Sequence, residues 1–164
     1  LSDLAKESVT NISAVVKKLT GKDIQDYDLH VQFPGTHNVD GDSASITMAT
    51  AIISAFEGVP IDQNMAMTGS LSVRGEVLPI GGVSAKIEAA VKSGIERVII
   101  PRSNLQDVLI DEKYESMVEV LPVDSLDEVL QHALVGAEDK VSLVERLANV
   151  IDTISSGPDT QPSA

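Results

Sequence analysis

Two residues in this chain, Ser43 and Lys86, could together perform nucleophilic catalysis. Ser43 lies in "VDGDSAS", residues 39–45, just behind two aspartates and just ahead of a long apolar stretch. A serine hydroxyl is a weak nucleophile unless a neighbouring group accepts its proton. A serine at the start of a helix is also a common N-cap. The catalytic interpretation of Ser43 therefore requires a base elsewhere in the chain.

Histidine is the first base to consider, and the chain has three: His30, His37 and His132. His37 is near Ser43 in sequence, His30 lies on a predicted strand, and His132 lies on a helix near the end. The hydrolase elbow G-x-S-x-G is only partly matched, because Ser45 stands where the second glycine should be. A Ser-His-Asp triad therefore has only partial support.

Lys86 is the second candidate base. It follows "IGGVSA" in the first turn of a predicted helix, where the helix dipole disfavours the ammonium form. Its neighbours Ile80, Val83 and Ile87 are apolar, and burial lowers the pKa of a lysine. Neutrality at pH 7 requires a drop of roughly 3 units from about 10.4, which burial can provide and a surface site cannot. The alternative interpretation of Lys86 is a solvated surface charge.

The elements that must position these residues follow from the apolar pattern. Ser43 is expected at the mouth of a helix over Asp42–Glu57, which is apolar almost all round, and Lys86 on a helix closed by Gly94. The other predicted elements are a helix from Leu4 to Leu19 closed by Gly21, a strand "DYDLHVQF" (26–33), a loop 34–40, a hairpin from about Met65 to Pro79 turning at Arg74-Gly75, strands "RVIIP" and "VEVLPV", helices capped by Ser103 and Ser125, and an amphipathic helix over Val141–Ile154. Alternating strands and helices in the second half predict parallel neighbours with helices packed on one face.

Composition limits the class of protein. A length of 164 residues with 43% hydrophobic content suits one globular domain, which we place at 1–154, followed by a disordered tail at 155–164. The formal charge of −13 opposes contacts with a phosphate backbone, so nucleic acid is not an expected partner. The absence of cysteine excludes disulfides and thiolate catalysis. No stretch is long and apolar enough for a transmembrane helix, and no signal peptide is present, so a cytosolic segment excised from a longer protein is expected.

Four motifs occur together in order: "GDSAS", "AMTGSLSVRGEVLPIGG", "SAKIEAAVKSG" and "VIIP". With them the chain resembles the proteolytic domain of the Lon protease family, in its archaeal-type branch, from the first helix to about Leu134. "GDSAS" alone would be a weak signal, whereas the ordered set is highly specific. The resemblance implies an α+β fold similar to the second domain of ribosomal protein S5, with helices layered on a mixed β-sheet.

The same resemblance implies a serine endopeptidase with a Ser-Lys dyad. Ser43 falls at the family's nucleophile and Lys86 at its general base. Thr68, in "MTGS", falls at the threonine that orients the lysine. Asp42 stands at the archaeal-type aspartate, and Asp40 stands where glutamate is usual and can restrain the lysine. Aspartate keeps that charge but has a shorter reach.

The resemblance also implies partners. Polypeptides are the expected substrates, and the family's ATPase, with its ATP and Mg²⁺, is expected on another part of the protein, because this segment has no Walker A motif. No cofactor or metal is expected in the segment itself. A homo-hexamer and a location at the cytoplasmic face of a membrane, with an anchor outside this segment, are further expectations.

Two alternatives stay open. A non-cleaving, ring-forming Lon-like module of a DNA-repair type ATPase would have the same fold, although such modules lack the serine and lysine. An active site held closed in the isolated piece is the other. The histidine pair of bacterial members is reduced here to His30, with Gln32 in the second place, which fits the archaeal branch and argues against histidine as the base.

Overall fold

The fold is given by a computed structural model that describes residues 3–34 and 41–155. Six helices and five strands occur in this part of the chain. The helices are α1 (Asp3–Thr20), α2 (Ser45–Glu57), α3 (Val83–Lys92), α4 (Glu112–Glu115), α5 (Leu126–Ala133) and α6 (Ala137–Ser155); the strands are β1 (Met65–Met67), β2 (Ser70–Leu71), β3 (Val77–Leu78), β4 (Arg97–Pro101) and β5 (Glu119–Val123). Two 3₁₀ helices, Ile24–Asp26 and Arg102–Asp107, complete the set.

A three-stranded parallel sheet lies at the centre, in the order β1-β4-β5. Helix α3 connects β1 to β4 by way of the short antiparallel pair β2–β3, which forms a separate sheet. The parallel order predicted for the second half of the chain is confirmed, but the prediction of helices on one face is wrong, because helices pack on both faces of the sheet. The α+β class is also confirmed, with the parallel and antiparallel pairings in two sheets.

The sheet separates two apolar clusters because alternate residues of a strand point to opposite faces. On one face Ile99 of β4 and Val123 of β5 join the larger cluster, formed with α1, α2, α5 and α6. On the other face Val98 and Ile100 of β4 pack with α3 in a smaller cluster. Helices α2 and α3 therefore lie on opposite faces of one sheet. Ser43 comes just before α2, and Lys86 lies in α3.

The strand predicted at 26–33 is wrong. The segment forms the end of a 3₁₀ helix and then irregular chain, and Leu29 and Val31 are 37% and 49% exposed. Alternation of apolar residues marks a face that a strand could bury, but it does not supply a neighbouring strand, and none pairs with these residues in the described chain.

The predicted hairpin is partly wrong. Its antiparallel arms are only Ser70–Leu71 and Val77–Leu78, turning at Gly75, whose φ is +89°. Met65–Met67 instead pairs with β4 in the parallel sheet. The register of Met65 opposite Arg97 buries Met65, which the hairpin alone could not do.

The two predicted helix caps fare differently. Ser103 does not cap a helix, because it lies inside the 3₁₀ helix Arg102–Asp107, whose first flanking residue is Pro101. Ser125 does stand at the N-cap of α5, but its side chain makes no capping bond. Instead, the side chain of Glu128 in the first turn of α5 accepts a hydrogen bond from the Asp124 amide at 3.0 Å. This bond satisfies a backbone amide just before the helix, much as in a capping box.

The remaining predicted elements are confirmed, with shifted bounds for the helix behind Ser43. It was expected from Asp42 and begins at Ser45. The loop residues 35–40, among them His37 and Asp40, lie outside the described residues, as do 156–164 of the predicted tail; Ser155 still belongs to α6. Within the described ranges no helix is long and apolar enough to cross a membrane.

Candidate active site

Ser43 lies in a turn just outside helix α2. The helix begins at Ser45 with Ala44 at its N-cap, so Ser43 is neither a cap nor a first-turn residue. The Ser45 amide donates to the Asp42 carbonyl at 3.0 Å, and the Ser45 hydroxyl also contacts that carbonyl. Because Ser45 performs the local hydrogen bonding, the Ser43 hydroxyl is not engaged in forming the helix end.

The turn at Ser43 is fastened to the chain between β1 and β2. The Gly69 amide donates to the Ser43 carbonyl at 2.8 Å, and the Ile46 amide donates to the Gly69 carbonyl at 3.3 Å. The Thr68 hydroxyl donates to the same Ser43 carbonyl at 3.2 Å. Three hydrogen bonds thus hold this turn beside Thr68.

Lys86 reaches the same place from α3. Its Nζ donates to Thr68 Oγ1 at 3.2 Å, and Thr68 is only 6% exposed. Thr68 therefore connects Lys86 with the backbone of Ser43 through two hydrogen bonds. Ser43, Thr68 and Lys86, which are distant in sequence, are brought together as the motifs indicate.

The pKa of the Lys86 ammonium is lowered from its ordinary value of 10.5, and burial is the main cause. The carboxylate of Asp42 acts in the opposite direction and raises the pKa of Lys86. Burial wins, because the net shift is downward. The direction expected from the apolar surroundings of Lys86 is the one found, and a lysine shifted in this way is a better proton acceptor near neutral pH.

Asp42 is exposed, and its carboxylate is hydrogen-bonded to a residue other than Lys86. Its Oδ2 accepts a hydrogen bond from the Ser70 hydroxyl at 2.6 Å, and Ser70 is buried. This bond fixes the carboxylate on the β2 side of the Ser43 turn. Asp42 thus acts on Lys86 through its field, without a hydrogen bond between the two in the described structure.

A cleft of about 400 Å³ opens beside this turn. Asp42 and Ser70 form part of its wall, Ser8 and Asn11 of α1 lie on another side, and Leu78 of β3 contributes an apolar surface. Ser43, Thr68 and Lys86 are not among the residues that line it.

The histidines are not brought to Ser43. His30 is exposed in the irregular segment after the first 3₁₀ helix, and His132 lies half-buried on α5. Neither donates to or accepts from Ser43 within the residues that the structure describes, and His37 lies outside them. In the same described residues no group of three His, Asp or Glu side chains could hold a metal ion.

Two contributors to the site were missed by the sequence reasoning. Gly69 holds the Ser43 carbonyl, and Ser70 holds Asp42. Both belong to "MTGS", where only Thr68 was singled out. The small residues directly after Thr68 were the available signal, since a glycine there allows a close backbone approach.

Comparison with known proteins identifies the family. The family model described as "Lon protease (S16) C-terminal proteolytic domain" matches residues 1–136. The chain belongs to this family. It is 54% identical over 157 residues to the archaeal Lon protease of Methanothermobacter thermautotrophicus, and 55% identical over 152 residues to that of Halobacterium salinarum. Lon protease 2 of Bacillus subtilis is 46% identical over 133 residues.

These matches cover most of the chain and a small part of each relative. They cover 95%, 92% and 81% of this chain, but only 24%, 22% and 23% of the respective relatives. The resemblance to archaeal-type Lon proteolytic domains is therefore confirmed. The chain spans about a quarter of the length of these relatives.

Proposed function

We propose that this Lon proteolytic domain is a serine endopeptidase with Ser43 as nucleophile and Lys86 as general base. One observation supports the pairing most directly: Lys86 Nζ donates to Thr68 Oγ1, and Thr68 Oγ1 donates to the Ser43 carbonyl. A lysine whose pKa is lowered by burial is thereby held next to a serine whose hydroxyl the helix does not use.

The reaction follows from these positions. Neutral Lys86 accepts the proton of the Ser43 hydroxyl while Oγ attacks the carbonyl carbon of a peptide bond. The lysine ammonium then gives its proton to the leaving amine, and an acyl-enzyme ester remains on Ser43. Water, deprotonated by Lys86, hydrolyses the ester and returns both side chains to their starting states.

The tetrahedral oxyanion needs hydrogen-bond donors near Ser43. The amides of Ser45 and Ile46 already donate to Asp42 and Gly69. The amides of Ser43 and Ala44 come just before them, at the end of α2 where the helix dipole is positive. We assign the oxyanion to this position, because preorganised donors at a helix N-terminus stabilise developing negative charge.

The supporting residues act on Lys86. Thr68 orients its amine, as the hydrogen bond between them indicates. Asp42 opposes the downward shift of its pKa, so the bond from Ser70 to Asp42 favours the active form by keeping the carboxylate from pairing with the ammonium. Asp40, outside the described residues, stays a predicted restraint on Lys86.

The rest of the proposal concerns the longer protein. Its substrates are unfolded or damaged polypeptides. ATP hydrolysis with Mg²⁺ belongs to an ATPase outside this chain, and the working form is a homo-hexamer at the cytoplasmic face of a membrane. The acidic surface, with a formal charge of −13, supports polypeptide substrates over nucleic acid.

Substitution of the two proposed catalytic residues tests the dyad. Ser43→Ala is expected to abolish cleavage of casein by the full-length protein, and Lys86→Ala to reduce it by at least about 10²- to 10⁴-fold, the contribution of a general base. Lys92→Ala is the matched control, because Lys92 is an exposed lysine of the same helix and pairs with Glu88. Circular dichroism checks the fold of each variant.

The outcomes separate the possibilities. Full activity of Ser43→Ala or of Lys86→Ala would exclude the dyad. A wild-type protein that neither cleaves casein nor reacts at Ser43 with a fluorophosphonate would favour the non-cleaving module. Reaction with the probe only in the full-length protein with ATP would instead indicate a site that is closed in the isolated domain.

A further inference from the structure

A buried amide holds the loop before the lysine helix. Asn104 is 3% exposed and lies in the 3₁₀ helix Arg102–Asp107 that follows β4. Its Oδ1 accepts a hydrogen bond from the Ile80 amide at 2.9 Å, and its Nδ2 donates to the Ile80 carbonyl at 3.0 Å. The same Nδ2 donates to Asp107 Oδ2 at 2.9 Å, which fixes the orientation of the amide. Asn104 thus pairs with both backbone polar groups of one residue, as a neighbouring strand would.

Helix α3 has no cap of its own to fix its start. Its N-cap is Gly82, which has φ +69° and no side chain to accept from the first amides. Ser84 provides a second link to the same 3₁₀ region, because its hydroxyl donates to the Asp107 carbonyl at 2.9 Å and accepts from the Leu109 amide at 2.9 Å. The start of α3 is therefore held by the segment after β4, and Lys86 is two residues beyond Ser84.

The partner of Lys86 is held by the same strand. The Thr68 amide donates to the carbonyl of Ile99 in β4 at 3.0 Å. Strand β4 ends at Pro101, and Asn104 is three residues further along the chain. Strand β4 and the segment after it therefore hold both residues of the hydrogen bond between Lys86 and Thr68. Ile99 holds Thr68, and Asn104 holds the loop before the helix that carries Lys86.

We propose that Asn104 is a positioning residue for peptide cleavage, which sets Lys86 against Thr68 by fixing the Ile80–Gly82 loop at the start of α3. The inference rests on the proposed function of Lys86. Asn104 itself does not touch the reacting atoms. Its removal leaves both polar groups of Ile80 without their partner and frees the Gly81-Gly82 pair, whose backbone is the most easily deformed point between Asn104 and Lys86.

Loosening of α3 is expected to raise the pKa of Lys86. Burial lowers the pKa of Lys86, so a looser α3 that admits water to the amine raises that pKa toward 10.5. Less neutral lysine is then present at pH 7 to 8, and the amine is also less well aligned with Thr68. Misplacement of a catalytic group by about 1 Å can cost about 100-fold in rate, whereas substrate contacts are unchanged.

Competitive acetylation measures the positioning without relying on catalysis. The full chain is labelled with trace acetic anhydride over a range of pH, and the acetylation of Lys86 relative to Lys92 is read by peptide mass spectrometry. In Asn104→Ala the pH midpoint for Lys86 is expected to move upward relative to wild type. Asn104→Leu has the same branched shape, carries no charge that would itself raise the pKa of Lys86 and forms neither bond to Ile80, and it replaces Asn104→Ala if that variant does not fold.

Activity supplies the second readout. The Asn104 variant is expected to lose about 100-fold in kcat with KM unchanged, and the ascending limb of its pH profile should move to higher pH in step with the Lys86 midpoint. Ser54→Ala is the control for a merely structural loss, because its hydroxyl donates to the Val59 carbonyl at 2.6 Å at the far end of α2. That variant should lose stability and keep the wild-type midpoint.

Each outcome decides a separate question. A folded Asn104 variant with an unchanged Lys86 midpoint and wild-type kcat would overturn the positioning role. If Ser54→Ala shifts the midpoint equally, the effect is general loosening and the proposal fails. If Asn104 substitution shifts the midpoint while Lys86→Ala remains fully active, Asn104 positions Lys86 and the proposed dyad is wrong.

Discussion

The amine of Lys86 is under two opposed influences. Burial lowers its pKa, and the carboxylate of Asp42 raises it. Asp42 is kept from closer approach by the Ser70 hydroxyl at 2.6 Å. The fraction of neutral Lys86 at a given pH is therefore set by two opposing effects, burial of the amine and the negative charge of Asp42.

Removal of that charge tests the balance. Asp42→Asn deletes the negative charge that raises the pKa of Lys86, and the new amide oxygen can still accept from Ser70. The pKa of Lys86 should fall, so the ascending limb of kcat/KM against pH is expected to move to lower pH and activity at neutral pH to rise.

A remote carboxylate provides the comparison for this experiment. Asp111 pairs with Lys113 at 2.7 Å, so Asp111→Asn makes the same chemical change away from Lys86. Its pH profile should coincide with that of wild type. An ascending limb that stays in place in Asp42→Asn, or moves to higher pH, would contradict the assigned effect of Asp42 on Lys86.

At the scale of elements, the site depends on a close approach between the start of α2 and the chain joining β1 to β2. Gly69 is at the point of contact, where its amide and carbonyl bond to Ser43 and Ile46. A Cβ built on Gly69 would lie 3.0 Å from Ile46 Cδ1 and 3.1 Å from Val77 Cγ1. Space favours glycine here, because a methyl group would crowd these two side chains. The backbone makes no such demand, because the φ of Gly69 is not in the left-handed region.

Gly69→Ala should therefore push the Ser43 turn away from Thr68. The expected loss of stability is about 1–3 kcal/mol, typical of an overpacked core, together with reduced kcat. Urea denaturation and peptide hydrolysis measure the two effects. Ile46→Val removes the Cδ1 atom that the new methyl would meet, so the double variant should recover part of both losses.

A glycine with free space is the matched control. Gly81 has nothing within 4 Å of its Cβ position and no positive φ, so Gly81→Ala should leave the stability nearly unchanged. Strictly additive losses in the Gly69→Ala/Ile46→Val double variant would show that steric contact with Ile46 is not the cause.

How far the sequence predicts these elements depends on whether their signals are local. The helices α2 and α3 are predictable because apolar periodicity and the closing glycines lie within each segment. The placement of Met65–Met67 in the parallel sheet is not, because its partner β4 is about thirty residues away and nothing in "MAM" specifies it. The same holds for Asn104, whose two bonds to Ile80 span 24 residues. Ser43 and Lys86 were singled out from their own chemistry and local surroundings, whereas Thr68 was found only through the family motifs, which record the outcome of such long-range contacts.

At the scale of the whole molecule, one sheet separates two apolar clusters, and each cluster supports one of the two proposed catalytic residues. The larger cluster supports α2 behind Ser43, and the smaller one supports α3 beneath Lys86. Burial of an ammonium group against the smaller cluster costs folding free energy, because the charged form prefers water. The same burial that lowers the pKa of Lys86 therefore reduces the stability of the folded chain.

Lys86→Met should make the folded chain more stable at neutral pH while it abolishes cleavage. Methionine fills a similar space without a charge to desolvate. The pH dependence of the unfolding free energy tests the same burial cost independently. The folded pKa of Lys86 lies below the unfolded value of 10.5, so between those two values the unfolded state binds more protons and wild-type stability rises with pH. The methionine variant lacks this term.

Urea denaturation of both chains at several pH values measures the difference in unfolding free energy. The advantage of the methionine variant is expected to shrink as pH increases toward 10.5, because wild-type Lys86 then loses its proton and the cost of burying it. Lys92→Met, an exposed lysine on the same helix, controls for loss of a surface charge. A Lys86→Met chain that is less stable than wild type at neutral pH, with a difference that does not change with pH, would mean that the lysine is fully solvated and that folding supplies no base.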